Sequence, residues 1–357
     1  MTHRPDIVVL GAGYAGLTTA LRLAVNRSLA VTLIDPGDRF TERVRLHQLT
    51  TGRPEVSVTH PLSALLRSTR IRHIVARAVG LDRAGRQLRT DDGRTVSYDR
   101  LVYALGSVTD TRAAHDAAER AYTAESAAEL GKRLLDGPGR LAVVGGGLTG
   151  VELAAEIAES HPEWEVRLLT AGTLGTGLSG KGRRHVRTTL GAMGVQVREG
   201  ESVASIDDVD ADVTVWSAAL RPRTELAAAA GLELDAAGRI VVDRTLRSAT
   251  DPAVYAAGDA AATSLRMACA TAMPTGAHAA ASVLADVGSR PARPLAFRYV
   301  MQCISLGRSD GLIQPVHGDD SPRSSVLTGR PAAFVKEQVV RSTVRSLHVA
   351  ASLARAR

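Results

Sequence analysis

Apolar and polar positions along the chain fall into blocks, and the blocks recur in the same order. Ile7 to Leu10 is a short apolar run broken by Gly11-Ala12-Gly13-Tyr14-Ala15-Gly16. A helix follows, Leu17 to Val25, with apolar residues at helical spacing, then a strand from Ala30 to Ile34 ending at Asp35. These make one β-α-β unit. Val56 to Leu66 predicts a short helix with Pro61 in its first turn. Ile71 to Leu81 and Gln87 to Thr90 read as strands with a turn at Asp92-Gly93, and Leu101 to Leu105 as a strand closed by Gly106. Thr109 to Gly139 is polar and reads as helical, stopping at Pro138-Gly139.

From Leu141 the first pattern begins again: strand Leu141 to Val144, glycines, helix Val151 to Glu159, strand Glu165 to Leu169. Val213 to Trp216, Val241-Val242 and Val254 to Ala256 are further strands, and Gly276 to Asp286 is an Ala-rich helix. Beyond Pro291-Ala292-Arg293-Pro294 turns and short strands dominate, and Ala332 to Ala354 reads as an amphipathic helix with Arg and Lys on one side. Two β-α-β units a domain's length apart predict an α/β fold with two Rossmann-like, three-layer dinucleotide-binding domains.

Composition narrows the function classes. With 357 residues, 45% hydrophobic and 23% charged, the chain has the profile of a soluble globular protein of two or three domains. The net charge of +7 comes almost entirely from arginines, spread without an aromatic-interleaved stripe. That argues against nucleic acid and for anionic cofactors. Two cysteines, Cys269 and Cys303, give no disulfide framework and no metal spacing, which suits a reducing cytoplasm. MTHRPDIVVL enters a strand without a leader pattern, and no apolar run approaches a bilayer span, so membrane contact is expected to be at most peripheral.

The glycines carry the chemistry. Gly11 permits a tight turn, Gly13 lets backbone approach a pyrophosphate, and Gly16 allows close helix–strand packing. The pyrophosphate is then met by the free N–H groups of a helix N-terminus. Asp35, at the end of the second strand, is placed to hold ribose hydroxyls. In the second turn, Gly145-Gly146-Gly147-Leu148-Thr149-Gly150, the matching strand ends at Thr170. Without an acid there a 2′-phosphate is not repelled, and Arg167, Lys181, Arg183 or Arg184 is available to pair with it. A third segment, VYAAGDAAA from Val254 to Ala262, ends a strand at Gly258-Asp259, where Asp259 would accept a hydroxyl's hydrogen bond.

The ordered set GAGYAG with Asp35, YDRLVYALGS, GGGLTGVELAAEIAE, VTVWSAALRP and VYAAGDAAA resembles flavoproteins with two dinucleotide-binding domains. The chain is similar to the type II NADH:quinone dehydrogenases and apoptosis-inducing-factor-like oxidoreductases over about Asp6 to Ser289. The resemblance implies a glutathione-reductase-like arrangement. Residues 1–110 and 232–290 would bind FAD, 111–231 NAD(P)H, and 291–357 would form a small C-terminal cap. It implies FAD contacts from Gly11, Gly13, Ala15, Gly16, Asp35, Arg43, Val79, Ala104, Gly106, Asp259, Met273 and Pro274. Nucleotide contacts are implied for Gly145, Gly147, Leu148, Thr149, Gly150, Thr170 and Ala219. Glu152 matches a position with a role in proton transfer, and His47 lies in a loop expected to pass the flavin as a substrate contact or proton donor. A helix beginning near Pro274 would point its N-terminus at the flavin.

Disulfide-reductase relatives place CxxxxC or CxxC beside the flavin; here no such spacing occurs, so electrons are expected to pass directly from flavin to a quinone or other small acceptor. Cys269 lies near the expected flavin edge, where a single buried cysteine ordinarily serves as a small hydrophobe. Quinone-reducing members carry Gln before that helix; Ala270-Thr271-Ala272 stands here. The open alternatives are a tailoring oxidase or reductase of a specialised organic substrate and a low-turnover FAD/nucleotide redox sensor. The resemblance also allows a homodimer and a location peripheral to the inner membrane face.

Overall fold

The computed structural model describes residues 4–114 and 116–356. Met1 to His3, at the start of the segment read as leaderless, and Arg357, at the end of the expected cap, lie outside the described residues. Four helices position the site: α1 (Tyr14–Leu23), α2 (Leu148–Ser160), α3 (Cys269–Val287) and α4 (Gly329–Ala356).

Apolar runs buried on both faces form parallel sheets covered by helices. The first sheet runs, edge to edge, Val254–Ala256, Arg100–Tyr103, Asp6–Leu10, Ala30–Asp35, Ile71–Val75, all parallel. The chain leaves it after Tyr103 and returns at Val254, beside the strand it left. Between these points lies a second parallel sheet of Gln196–Glu199, Glu165–Thr170, Arg140–Val144 and Val213–Trp216. The outgoing strand Ser107–Thr109 and the returning strand Leu220–Pro222 pair antiparallel. A last unit pairs Met301–Leu306 with Asp310–Pro315 and Leu327–Thr328, all antiparallel. Helix α4 then runs back to place Leu347 and Ala351 in the core of the first sheet's helical layer.

The two glycine turns are built alike. Gly11 has φ +101°, and a Cβ there would lie 2.5 Å from the Ala104 carbonyl oxygen; one on Gly16 would lie 1.8 Å from Gly11 O. Gly145 has φ +126°, and a Cβ on Gly150 would lie 1.9 Å from Gly145 O. The middle glycines differ: a Cβ on Gly13 or Gly147 would meet nothing within 4 Å. Each is the N-cap of its helix, without a side-chain cap, so the first-turn N–H groups face open space.

Three expectations need correction. Among the described residues, the segment from Thr109 to Gly139 holds two short helices, Ala117–Arg120 and Ala127–Leu134, because its start is taken up by the crossing strand and by turns. The helix between Val56 and Leu66 shrinks to Leu62–Leu65, with Pro61 as its N-cap, because Thr59–Pro61 pairs with Arg39–Thr41. Helix α3 begins at Cys269 and runs through Pro274. The proline removes one helical hydrogen bond, and close packing on α1 outweighs it. A Cβ on Gly276 would lie 2.3 Å from Ala15 O, and Thr19 Oγ1 donates to Gly276 O at 2.9 Å.

The middle and last glycines of a turn therefore respond differently to alanine. Gly16→Ala is expected to destabilise by more than about 3 kcal/mol, because backbone must move, whereas Gly13→Ala costs under about 1 kcal/mol. Thermal denaturation of the two variants checks this; equal losses would refute the packing role of Gly16.

Candidate functional site

One continuous cavity of about 1380 Å³ runs from the first glycine turn to the N-terminal turn of α2, and is walled on its far side by the hairpin strand Met301–Leu306 and by α4. Its first end is polar and anchored. Asp35 accepts Ala12 N–H at 2.7 Å and Gly37 N–H at 2.8 Å, which fixes the carboxylate beside the turn. Asp259 Oδ2 accepts from Ser107 Oγ at 2.6 Å, while its buried Oδ1 has no partner among the described residues. A buried acceptor left over in a cavity wall suits a ligand hydroxyl. Arg43 donates to Ser107 O and pairs with Glu125 at 2.8 Å, so its guanidinium is held in the wall. Arg223, which sequence reasoning missed, opens onto the same cavity, close enough to Arg43 to feel its charge. It makes no ion pair among the described residues.

The other end is built from three remote segments. Glu152, on the second turn of α2, accepts Lys336 Nζ at 2.8 Å and Ser305 N–H at 2.9 Å. Lys336 also donates to Cys303 O at 3.1 Å. Both side chains are largely buried, at 15% and 13% exposure. Burial would push Glu152 up, but the charge of Lys336 and these hydrogen bonds hold it below the usual carboxylate range. Burial likewise favours neutral Lys336, and Glu152 reverses that. The pair is charged.

His47 sits in a 3-10 segment, Arg43–Thr51, whose loop is tied to its neighbours. Arg45 forks onto Glu337 of α4 with two 3.0 Å bonds, and the His161 ring meets Thr50 O at 2.8 Å. The imidazole is 5% exposed, and its Nε2 has no partner among the described residues. Burial lowers its pKa to about 4, opposed by Glu152 and reinforced by the charges of Lys336, Arg308 and Arg45. It is neutral at physiological pH, able to donate or accept one hydrogen bond.

The cavity wall brings together Gly11, Gly13, Ala15, Asp35, Arg43 and His47, and with them Val79, Ala104, Gly106, Leu148, Thr149, Glu152, Ala219 and Asp259. Gly16, Gly145 and Gly150 stand behind it as packing positions, and Gly147 opens beside it. Met273 and Pro274 do not line it; because α3 starts early, Met267, Ala268, Cys269 and Ala270 take that wall. Thr170 is buried against Gly146, and Arg167 is tied to Glu165 and Asp210. Sequence reasoning also missed Lys336. It was visible only as one of three lysines in a chain rich in arginine.

The cradles, the orphaned Asp259 oxygen and the two uncapped helix N-termini fit an FAD and a nicotinamide nucleotide. Comparison with known proteins agrees. A family model described as pyridine nucleotide-disulphide oxidoreductase matches residues 5–282. The chain is 30% identical over 180 residues to a type II NADH:quinone oxidoreductase of Staphylococcus aureus, a match covering 45% of this chain and 44% of that relative. The aligned part is thus under half the length of the relative. A sulfide:quinone oxidoreductase from Aquifex aeolicus superimposes with TM-score 0.82 at 19% identity, over 97% of this chain and 92% of the other. NDH2 from Plasmodium falciparum, in complex with NADH, gives 0.78 at 14% identity, over 99% and 98%. At those identities the likeness is one of fold.

Burying a neutral imidazole links stability to pH. The unfolded chain protonates His47 near 6.5 and the folded chain only near 4, so this contribution is whole above the upper value and is lost as pH falls. Between about pH 8 and about pH 5 the loss is about 2 kcal/mol. His47→Gln should flatten the stability–pH curve by that amount in chemical denaturation; an unchanged slope would mean His47 is protonated as readily folded as unfolded.

Proposed function

Because the chain belongs to the pyridine nucleotide-disulphide oxidoreductase family, we propose that it is an FAD-dependent oxidoreductase that oxidises NAD(P)H and reduces a quinone or similar small acceptor. The reading rests on one observation. A single cavity joins both glycine turns to a buried Glu152–Lys336 pair and a neutral His47. The chemistry a bound FAD would supply is acceptance of a hydride from the nicotinamide and onward transfer of electrons. The protein's residues bind, orient and manage protons.

Gly13 and the first N–H groups of α1 would meet the FAD pyrophosphate, Asp35 a ribose, and Asp259 a hydroxyl of the ribityl chain. Gly147, Leu148 and Thr149 would meet the nucleotide. Glu152 stays ionised and keeps Lys336 charged, so Lys336, with the neutral His47 in the same wall, can give a proton to an acceptor oxygen while Glu152 orients the donor. Phe297, Val300, Met301 and Val339 line this end and suit a flat apolar acceptor. The division into an FAD unit, 1–110 with 232–290, an NAD(P)H unit, 111–231, and a cap, 291–357, is supported by the return of Val254–Ala256 to the first sheet. Among the described residues no helix is long and apolar enough to cross a membrane; a cytoplasmic location with peripheral contact accords with that.

NADPH is expected to serve about as well as NADH. The carboxylate paired across the ladder from Thr170, Glu199, is occupied by Leu174 N–H at 2.6 Å and by Arg187. With Arg167 committed, the 2′-phosphate falls to Lys181, Arg183 or Arg184.

Anaerobic stopped-flow bleaching of the flavin band by each nucleotide tests both claims. We expect rapid bleaching by both, with rates within about tenfold; no bleaching by either overturns the reductase reading, and a large NADH preference overturns the 2′-phosphate assignment. Glu152→Gln should slow electron delivery to a soluble quinone by at least about tenfold, measured by single-turnover reoxidation.

A further inference from the structure

At the mouth of the acceptor end one guanidinium stands without a counter-charge. The extended run Phe297–Val300 continues the hairpin ladder: Tyr299 N–H donates to Gly318 O at 3.2 Å, and Val316 N–H to Val300 O at 3.0 Å. Its side chains alternate as extended backbone requires, Phe297 and Tyr299 half-buried, Arg298 and Val300 exposed, and all four line the cavity. The half-buried pair is fixed. The two rings meet edge to face with centroids 5.0 Å apart, the Arg266 guanidinium lies 5.2 Å over Tyr299, and the Tyr299 hydroxyl accepts Arg266 N–H at 2.8 Å. Arg298 makes no hydrogen bond or ion pair among the described residues. The carboxylates of the adjoining loop are taken: Asp320 holds Arg266 and accepts Gln302 Nε2 at 3.1 Å, and Asp319 accepts Ser321 N–H and hydroxyl. Glu152 is closed on Lys336. A Cβ on Gly318 would lie 2.8 Å from Arg298 Nε, so the side chain rests against the loop at a residue that leaves it room.

We propose that the acceptor is an anion, a flat reducible ring carrying a carboxylate or similar acidic group, and that Arg298 is the residue that selects it. The proposal rests on the reading of this end as the acceptor site. Val300 and Met301, 67% and 37% exposed, supply apolar surface beside the guanidinium, and the planar fork of an arginine meets a carboxylate with two parallel hydrogen bonds. Along the same run roughly 16 Å of extended chain separates Arg298 from Cys303, whose carbonyl holds Lys336. A ring lying against Lys336 therefore carries its acid on the outer edge or on a side arm, away from the carbonyl being reduced. Arg298 acts on selection alone and moves neither electrons nor protons. A neutral ring meets the same apolar wall and leaves Arg298 in water at no cost, so the site prefers an anionic acceptor without rejecting a neutral one.

Equilibrium dialysis of the full-length, flavin-loaded protein, oxidised and without nucleotide, tests this with two probes. One is a fully substituted benzoquinone whose alkyl side arm ends in a carboxylate; the other is its methyl ester. We expect the acid to bind about five- to tenfold more tightly at low salt, and the difference to shrink as salt is added. Arg298→Gln should bring the acid to the level of the ester and hold the ester within about twofold of the parent. Arg298→Lys should keep part of the preference. Flavin content and melting temperature check that both variants are folded. Equal binding of acid and ester to the parent, a preference that survives Arg298→Gln, or binding of neither probe would each overturn the proposal. No electron is transferred in this experiment, so its failure is distinct from failure of flavin bleaching, which tests the reductase reading.

Discussion

A buried ammonium–carboxylate bond, Lys336 to Glu152, joins the last helix to the second glycine turn across 184 residues of sequence. Removing both charges from water is costly, and the attraction repays it only with good geometry and further hydrogen bonds. Glu152 has such a bond from Ser305 N–H, and Lys336 from Cys303 O. The neighbouring Glu337 holds Arg45, hence the loop that carries His47. One turn of α4 thus fixes both polar groups at the acceptor end. Along α2 the same device repeats: Glu156 meets Arg308, and Glu159 accepts Arg308 N–H at 2.6 Å. Residues 152, 156 and 159 lie on one helix face, so the hairpin is set in a single register on that helix. Apolar packing alone would permit sliding.

The two glycine turns answer the same steric requirement in the two parallel sheets. In each, first and last glycines let strand, turn and helix approach to distances no Cβ permits, and the middle glycine leaves space for a ligand. What distinguishes them is the residue ending the second strand. Asp35 is anchored by two backbone N–H groups and faces the cavity. Thr170 turns its side chain onto Gly146 and presents no charge. One architecture therefore ends in a charged side chain at one cradle and an uncharged one at the other.

Much of this was legible in the sequence, because periodicity and glycine spacing are local. The β-α-β units, Asp35, Asp259 and the amphipathic tail all fall where residue pattern places them. Long-range choices were not legible. Pro274 reads as a helix start because proline suits a first turn, yet tertiary packing of Gly276 on Ala15 carries the helix through it. The polar stretch after Thr109 reads as helix because Ala, Glu and Arg favour one, but its start is held by the crossing strand. Lys336 carries no local signal, since a lysine on an amphipathic helix is usually solvated. Only the fold shows that this one points inward.

Charge divides the cavity in a way that neither composition nor motif reveals. At the first end Arg43, Arg77 and Arg223 lie near enough to influence one another, and Arg223 has no carboxylate paired to it among the described residues. Asp35, Glu125 and Asp259 line the same end, so it carries both signs of charge, and a phosphate there would be met by guanidinium groups partly offset by carboxylates. At the other end the Lys336 and Glu152 charges cancel and His47 is neutral. Arg298 lines this end as well, beside Phe297 and Val300, so with the Lys336–Glu152 pair closed on itself a guanidinium is left to meet the polar edge of an acceptor.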